Sequence, residues 1–160
     1  MDILIVYATN SGGTLLASQE ITSVFQKYGY STTLKNVSEV SFDELSSADL
    51  VVFGSPSWDY HGKQGQVQEQ YLGFMEKMKG KTFPKKKFAV FGLGDTSYTY
   101  FCGSVDNLVN FVKDLGGVLV GDPLRIDGFY FDQEKNTQII RTWAEKIATS
   151  IAPTTPSESS

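Results

Sequence analysis

Short apolar runs alternate with longer amphipathic ones along the whole chain. Ile3-Leu4-Ile5-Val6-Tyr7 is continuous rather than alternating, which predicts a strand buried on both faces. Ala17, Ile21, Val24 and Tyr28 recur at helical spacing and predict a helix over 14–28, stopped by Gly29. A more polar strand is expected at Thr32–Lys35, near a sheet edge, then a short helix around Phe42–Leu45. The run Leu50-Val51-Val52-Phe53 predicts a further strand closed by Gly54. Val67, Tyr71, Phe74 and Met78 place a helix over 66–78, and Phe88–Phe91 predicts a strand stopped by Gly92. A helix over 105–115 carries Leu108, Val109 and Val112. Val118-Leu119-Val120 reads as the last strand, and a final helix displays Ile140, Trp143, Ile147 and Ile151.

Five strands alternating with five helices predict an α/β fold, a doubly wound parallel sheet with right-handed crossovers and helices on both faces. Residues 1–152 form one domain in this reading. Residues 153–160, rich in Ser, Thr and Pro, read as a disordered tail. In such sheets a ligand binds beyond the carboxyl ends of the strands, where the strand order reverses. The chemically unusual residues of this chain lie after strands in three places.

The first is Thr9-Asn10-Ser11-Gly12-Gly13-Thr14, which runs directly into a helix. Glycines let the backbone approach a ligand, and amides and hydroxyls at a helix start donate to an anion. Without Lys or Arg, and without G-x-G-x-x-G, it matches neither a Walker loop nor a dinucleotide fingerprint. Neutral donors of this kind suit one terminal phosphate; ordinary helix capping is the plainer alternative. The second is Gly54-Ser55-Pro56-Ser57-Trp58-Asp59-Tyr60-His61-Gly62, where Trp58 sits in a polar turn with no evident core to enter. Trp143, among isoleucines, is instead a core residue. The third is Gly92-Leu93-Gly94-Asp95-Thr96-Ser97-Tyr98-Thr99-Tyr100-Phe101-Cys102-Gly103, whose rings could form a clamp or a local aromatic cluster. A planar heterocycle on a phosphorylated chain fits the three loops together.

With these loops the chain resembles the flavodoxin family over almost its full length. Residues 9–14 resemble the family's phosphate loop, T-x-[ST]-G-x-T. Residues 94–103 are similar to its second flavin loop, and Ser57-Trp58 sits where the first flavin loop places its tryptophan. The short turn between Val118–Val120 and Leu124-Arg125-Ile126-Asp127 resembles the short-chain branch, which lacks a long insertion. The resemblance implies a five-stranded sheet of order 2-1-3-4-5 and non-covalently bound FMN. Thr9, Asn10, Ser11, Gly12, Gly13 and Thr14 would hold the phosphate. Trp58 would cover the inner flavin face and Tyr98 the outer one, with Ser55, Pro56, Ser57, Asp59, Gly94 and Phe101 completing the loops. Asp95, Tyr100 and Cys102 would meet the pyrimidine edge, largely through backbone groups.

The resemblance further implies a low-potential one-electron carrier without a catalytic residue, moving electrons between larger redox proteins. Since about 59 mV in a one-electron couple corresponds to about 1.4 kcal/mol, modest electrostatics would tune it. One position departs from the family pattern. Asp59 stands where the family commonly has glycine, whose carbonyl turns toward flavin N5 on one-electron reduction, a turn that costs aspartate roughly 1 kcal/mol. An FMN-dependent NAD(P)H:quinone-type reductase is the alternative, and a flavin-free receiver domain is a more distant one.

Composition narrows the partners. Net charge is −4, which argues against nucleic acid. Lys77, Lys79, Lys81, Lys85, Lys86 and Lys87 crowd one stretch, whereas Asp95, Asp106, Asp114, Asp122, Asp127, Asp132 and Glu134 dominate downstream. This describes either two solvated faces or a dipole steered onto basic redox partners. Cys102 and His61 are each the single residue of their type, which excludes an intramolecular disulfide and a multi-histidine metal site. The chain start shows no basic leader, and no apolar run approaches about 20 residues; a cytoplasmic monomer is the expectation.

Overall fold

The protein is described by a computed structural model covering residues 1–8, 12–56, 58–60, 63–66, 69–94, 103–129 and 132–151. The chain order is β1 (Asp2–Tyr7), α1 (Gly13–Lys27), β2 (Ser31–Asn36), α2 (Phe42–Ser47), β3 (Leu50–Pro56), β4 (Trp58–Tyr60), β5 (Lys63–Gln66) and α3 (Glu69–Lys77). It continues with β6 (Lys87–Gly94), α4 (Gly103–Asp114), β7 (Val118–Leu119), β8 (Leu124–Asp127) and α5 (Gln133–Ser150).

The main sheet is parallel, in the order β2-β1-β3-β6-β7, with β8 also pairing with β6. β7 lies beside Lys87 and Phe88, and β8 beside Phe91–Gly94. The two therefore share the fifth position as one interrupted strand. This is the expected 2-1-3-4-5 arrangement, with its last strand broken. Val120 was expected inside that strand; it lies just beyond β7, although its amide still donates to Phe88 O at 2.7 Å.

The side-chain period of two divides each strand between two cores. Leu4, Val6, Val51, Phe53, Phe88 and Val90 face one side, where α3 contributes Tyr71 and Phe74, the turn after it Met78, and α4 Val105, Leu108 and Val112. Ile3, Ile5, Leu50, Val52, Ala89 and Phe91 face the other, under Ile21 and Phe25 of α1 and Ile140, Trp143 and Ile147 of α5. Both faces being buried explains why β1, β3 and β6 are continuously apolar. Trp143 is a core residue, as expected, and its indole N–H donates to Asp122 O at 2.8 Å.

Polar edge strand β2 is half-buried, as its composition suggests. α2 begins on a reciprocal capping box: the Ser41 hydroxyl accepts from the Glu44 amide, and the Glu44 carboxylate accepts from the Ser41 amide, each at 3.1 Å.

Two expectations change. The polar turn after β3 contains a hairpin, β4–β5, pairing Trp58 with Gln66 and Tyr60 with Lys63. α3 consequently starts at Glu69, not at 66, because Gln66 belongs to β5. Val67 lies outside the described residues.

Candidate functional site

β1, β3 and β6 are adjacent and parallel, so the three unusual loops leave the same edge of the sheet. β2 follows β1 on one side and β3 lies on the other, which makes the C-terminal end of β1 the point where strand order reverses.

The loop after β1 enters α1 through Gly12. Its φ of 90° is in the left-handed region, which favours glycine. Gly12 occupies the helix cap and, having no side chain, makes no side-chain cap hydrogen bond of its own. An α-helix leaves its first amides without intrahelical acceptors and carries partial positive charge at that end. No acidic residue occupies the first turn of α1 to satisfy that charge. Thr14 is 1% exposed, and its Oγ1 is buried with no hydrogen-bond partner among the described residues. A buried hydroxyl of this kind costs about 1–3 kcal/mol unless a ligand meets it. This orphan atom fits a phosphate-bearing group at the switch point.

The second loop begins from a fixed base. Ser55 is fully buried, and its hydroxyl donates to Pro56 O at 2.8 Å. Beyond it the backbone of Trp58, Asp59 and Tyr60 forms β4, with a register break between Trp58 and Tyr60, at Asp59. The third loop leaves β6 at Gly94, whose carbonyl accepts from Gly128 N at 2.8 Å, and ends at the first turn of α4. There, buried Ser104 donates to Ser55 O at 3.2 Å. The turn after β8 is held by buried Asn136, whose amide donates to the carbonyls of Gly128 and Phe129, each at 3.2 Å. Arg125 of β8 pairs with Asp106 of α4 at 2.7 Å.

Among the expected site residues, Gly12, Gly13, Thr14, Ser55, Pro56, Gly94 and the backbone of Trp58 and Asp59 are thus gathered at one sheet edge. Thr9, Asn10, Ser11, Ser57, Asp95, Tyr98, Tyr100, Phe101 and Cys102, with His61, lie outside the described residues. Ser104 and Asn136, which brace the loop bases, and Tyr71, whose hydroxyl reaches Gly54 N and Val6 O, are not among the expected residues. Their signal is weak in sequence: a serine one residue after Gly103, an asparagine in a helical first turn, and a tyrosine at an ordinary core spacing. Among the described residues, no group of three or more His, Cys, Asp or Glu side chains could hold a metal.

The comparisons with known proteins agree with this geometry. The family model described as flavodoxin matches residues 5–143. The chain is 34% identical over 149 residues to the flavodoxin of Maridesulfovibrio salexigens, covering 92% of this chain and 97% of that one. It is 30% identical over 151 residues to the flavodoxin of Nitratidesulfovibrio vulgaris, covering 94% and 99%. The crystal structure of oxidised flavodoxin 2 from Bacillus cereus superposes with a TM-score of 0.84 at 26% identity, covering 94% of this chain and all of that one.

Proposed function

The chain belongs to the flavodoxin family, and on that premise we propose how its residues hold FMN and exchange electrons. It is an FMN-binding electron carrier of short-chain size, not an enzyme with its own substrate. The observation that carries the site assignment is the buried, unpartnered Thr14 hydroxyl at the start of α1. Thr14, the first-turn amides behind Gly12, and Thr9, Asn10, Ser11 and Gly13 receive the phosphate without a cationic side chain. Trp58 and Tyr98 face the two sides of the ring. Ser55, Pro56, Ser57, Asp59, Gly94, Asp95, Tyr100, Phe101 and Cys102 border its edge.

Bound FMN supplies an isoalloxazine ring that accepts and returns electrons one at a time. The protein's share is to orient that ring and exclude water from it. An apolar slot bordered by carboxylates disfavours added negative charge, so the same residues set the driving force.

Flavodoxins pass electrons to redox partners. We assign this chain reductase-type donors and acceptor enzymes, met transiently as a cytoplasmic monomer, with neither nucleic acid nor membrane as partner. Charge placement supports steering. Exposed Asp106, Asp127, Asp132 and Glu134 surround the loop edge, at the ends of β8 and the starts of α4 and α5. Lys77, Lys79, Lys81, Lys85 and Lys87 lie ahead of or at the start of β6, at the opposite edge. A basic partner surface is drawn to the cofactor end. Among the described residues, no helix is long and apolar enough to cross a membrane.

The test is the visible spectrum of the purified protein followed by stepwise dithionite titration. Flavin bands, release of FMN on denaturation and two one-electron steps are expected. A colourless protein that cannot be reconstituted with FMN overturns the assignment. Rapid oxidation of NAD(P)H by the isolated protein would favour the quinone-type reductase instead.

A further inference from the structure

Tyr71 is fully buried in the third position of α3, yet its hydroxyl reaches the sheet backbone. It accepts from Gly54 N at 3.1 Å and donates to Val6 O at 3.0 Å. Those two atoms belong to neighbouring strands. Tyr7 is in register with Gly54, and Ala8 N donates to Gly54 O at 3.2 Å. In a parallel ladder this alternation sets the Gly54 amide opposite the Val6 carbonyl. The hydroxyl therefore engages both groups at the last rungs before the strands part. Val6 lies three residues before Thr9, and Gly54 lies four before Trp58.

The hydroxyl is itself held. Phe53 and Phe74 meet the Tyr71 ring edge-on, at centroid distances of 6.0 and 6.4 Å. From the other face of the sheet the Phe91 ring fills the space a side chain at Gly54 would occupy: a Cβ there would lie 2.1 Å from Phe91 Cζ. Gly54 is thus gripped between a hydroxyl and a phenyl ring. Burial keeps the phenol well above the usual tyrosine range, so its proton stays in place for Val6 O across physiological pH.

We propose that the Tyr71 hydroxyl is a positioning group for the cofactor: by bridging Gly54 N and Val6 O it fixes the spacing between the phosphate-holding and ring-holding loops. This rests on the FMN assignment above. Losing the hydroxyl leaves the ring and its packing but frees the two strand ends to shift. A misplaced donor weakens binding, and a changed ring environment moves the potentials.

The experiment compares wild-type holoprotein with Tyr71→Phe. FMN affinity is measured by quenching of flavin fluorescence, the two one-electron midpoint potentials by redox titration, and Gly54 amide exchange by NMR. The expected result is about a tenfold loss of FMN affinity, within the range for one lost buried hydrogen bond. Shifted midpoint potentials and at least tenfold faster exchange at Gly54 should accompany it. Leu45→Val, in the same core cluster but on α2, serves as the stability control and should move neither affinity nor potentials. Unchanged affinity and potentials in Tyr71→Phe, with wild type binding FMN normally, overturn this inference alone. Equal shifts in Leu45→Val also overturn it, since general loosening would then suffice. A wild type that binds no FMN overturns it together with the functional assignment.

Discussion

The Ser104 hydroxyl donates to the carbonyl of Ser55 across 3.2 Å, with both residues fully buried. Ser104 lies in the first turn of α4, just beyond the third loop, and Ser55 lies next to last in β3, at the start of the second. One hydrogen bond therefore joins the exit of β3 to the start of α4, tying the beginning of the second loop to the end of the third. These loops are assigned to opposite sides of one ring. Ser104→Ala should cost about 1 kcal/mol of stability in urea unfolding. It should also weaken FMN binding severalfold in a fluorescence titration, because the two loops lose their common anchor.

Gly54 and Phe91 share one volume. A methyl group at Gly54 would sit 2.1 to 2.8 Å from three atoms of the Phe91 ring, far inside van der Waals contact. Gly54→Ala should destabilise the protein by about 3 kcal/mol, at the upper end for overpacking. Combining it with Phe91→Leu should recover part of that loss. The double-mutant cycle in urea would then show strong non-additivity, whereas additive losses would mean the two sites are independent.

Thr14→Val separates folding from binding. Replacing the unpartnered Oγ1 by a methyl group removes a desolvated polar atom from the interior. The FMN-free protein should become as stable as wild type or more so, by up to about 1 kcal/mol. FMN affinity should fall by about tenfold. A parallel loss of both quantities would identify the hydroxyl as a folding element instead.

Glu44 gives a pH signature. The hydrogen bond from Lys35, then that from the Ser41 amide, holds its carboxyl below the usual range. A carboxyl lowered by folding contributes stability above its unfolded pKa and loses it as pH falls through the folded one. Solvent screening keeps this contribution near about 0.5 kcal/mol. Glu44→Gln should therefore be slightly less stable than wild type at neutral pH. The two thermal midpoints should converge in acid, below the carboxylate range.

Periodicity was sufficient where one face or both faces of an element are buried. The continuous runs at Ile3–Tyr7, Leu50–Phe53 and Phe88–Phe91 are strands because helices cover both sides of them. The polarity of Thr32–Lys35 likewise marks a sheet edge. The β4–β5 hairpin was not legible. Its strands are only three and four residues long, too short for a period to register, and its pairing depends on neighbours rather than on propensity. The loops were legible only as candidate chemistry: a glycine-rich turn without cations, and rings in turns of polar composition. The bonds beneath them were not. Tyr71 carries the spacing of any core aromatic, and only the fold shows that its hydroxyl ends at Gly54 and Val6.

The broken fifth strand has a further consequence for the open edges of the sheet. A sheet with open edges invites strand addition by a second copy. Here one edge, β2, carries Ser31, Thr32, Thr33 and Lys35, with Lys35 paired to Glu44. The other is divided into a two-residue and a four-residue piece, separated by a turn through Gly121, whose φ is 72°. Among the described residues, neither edge of the main sheet offers a long, flat, apolar row of free amides. The interruption that shortens the last strand thus also guards the protein against edge-to-edge aggregation.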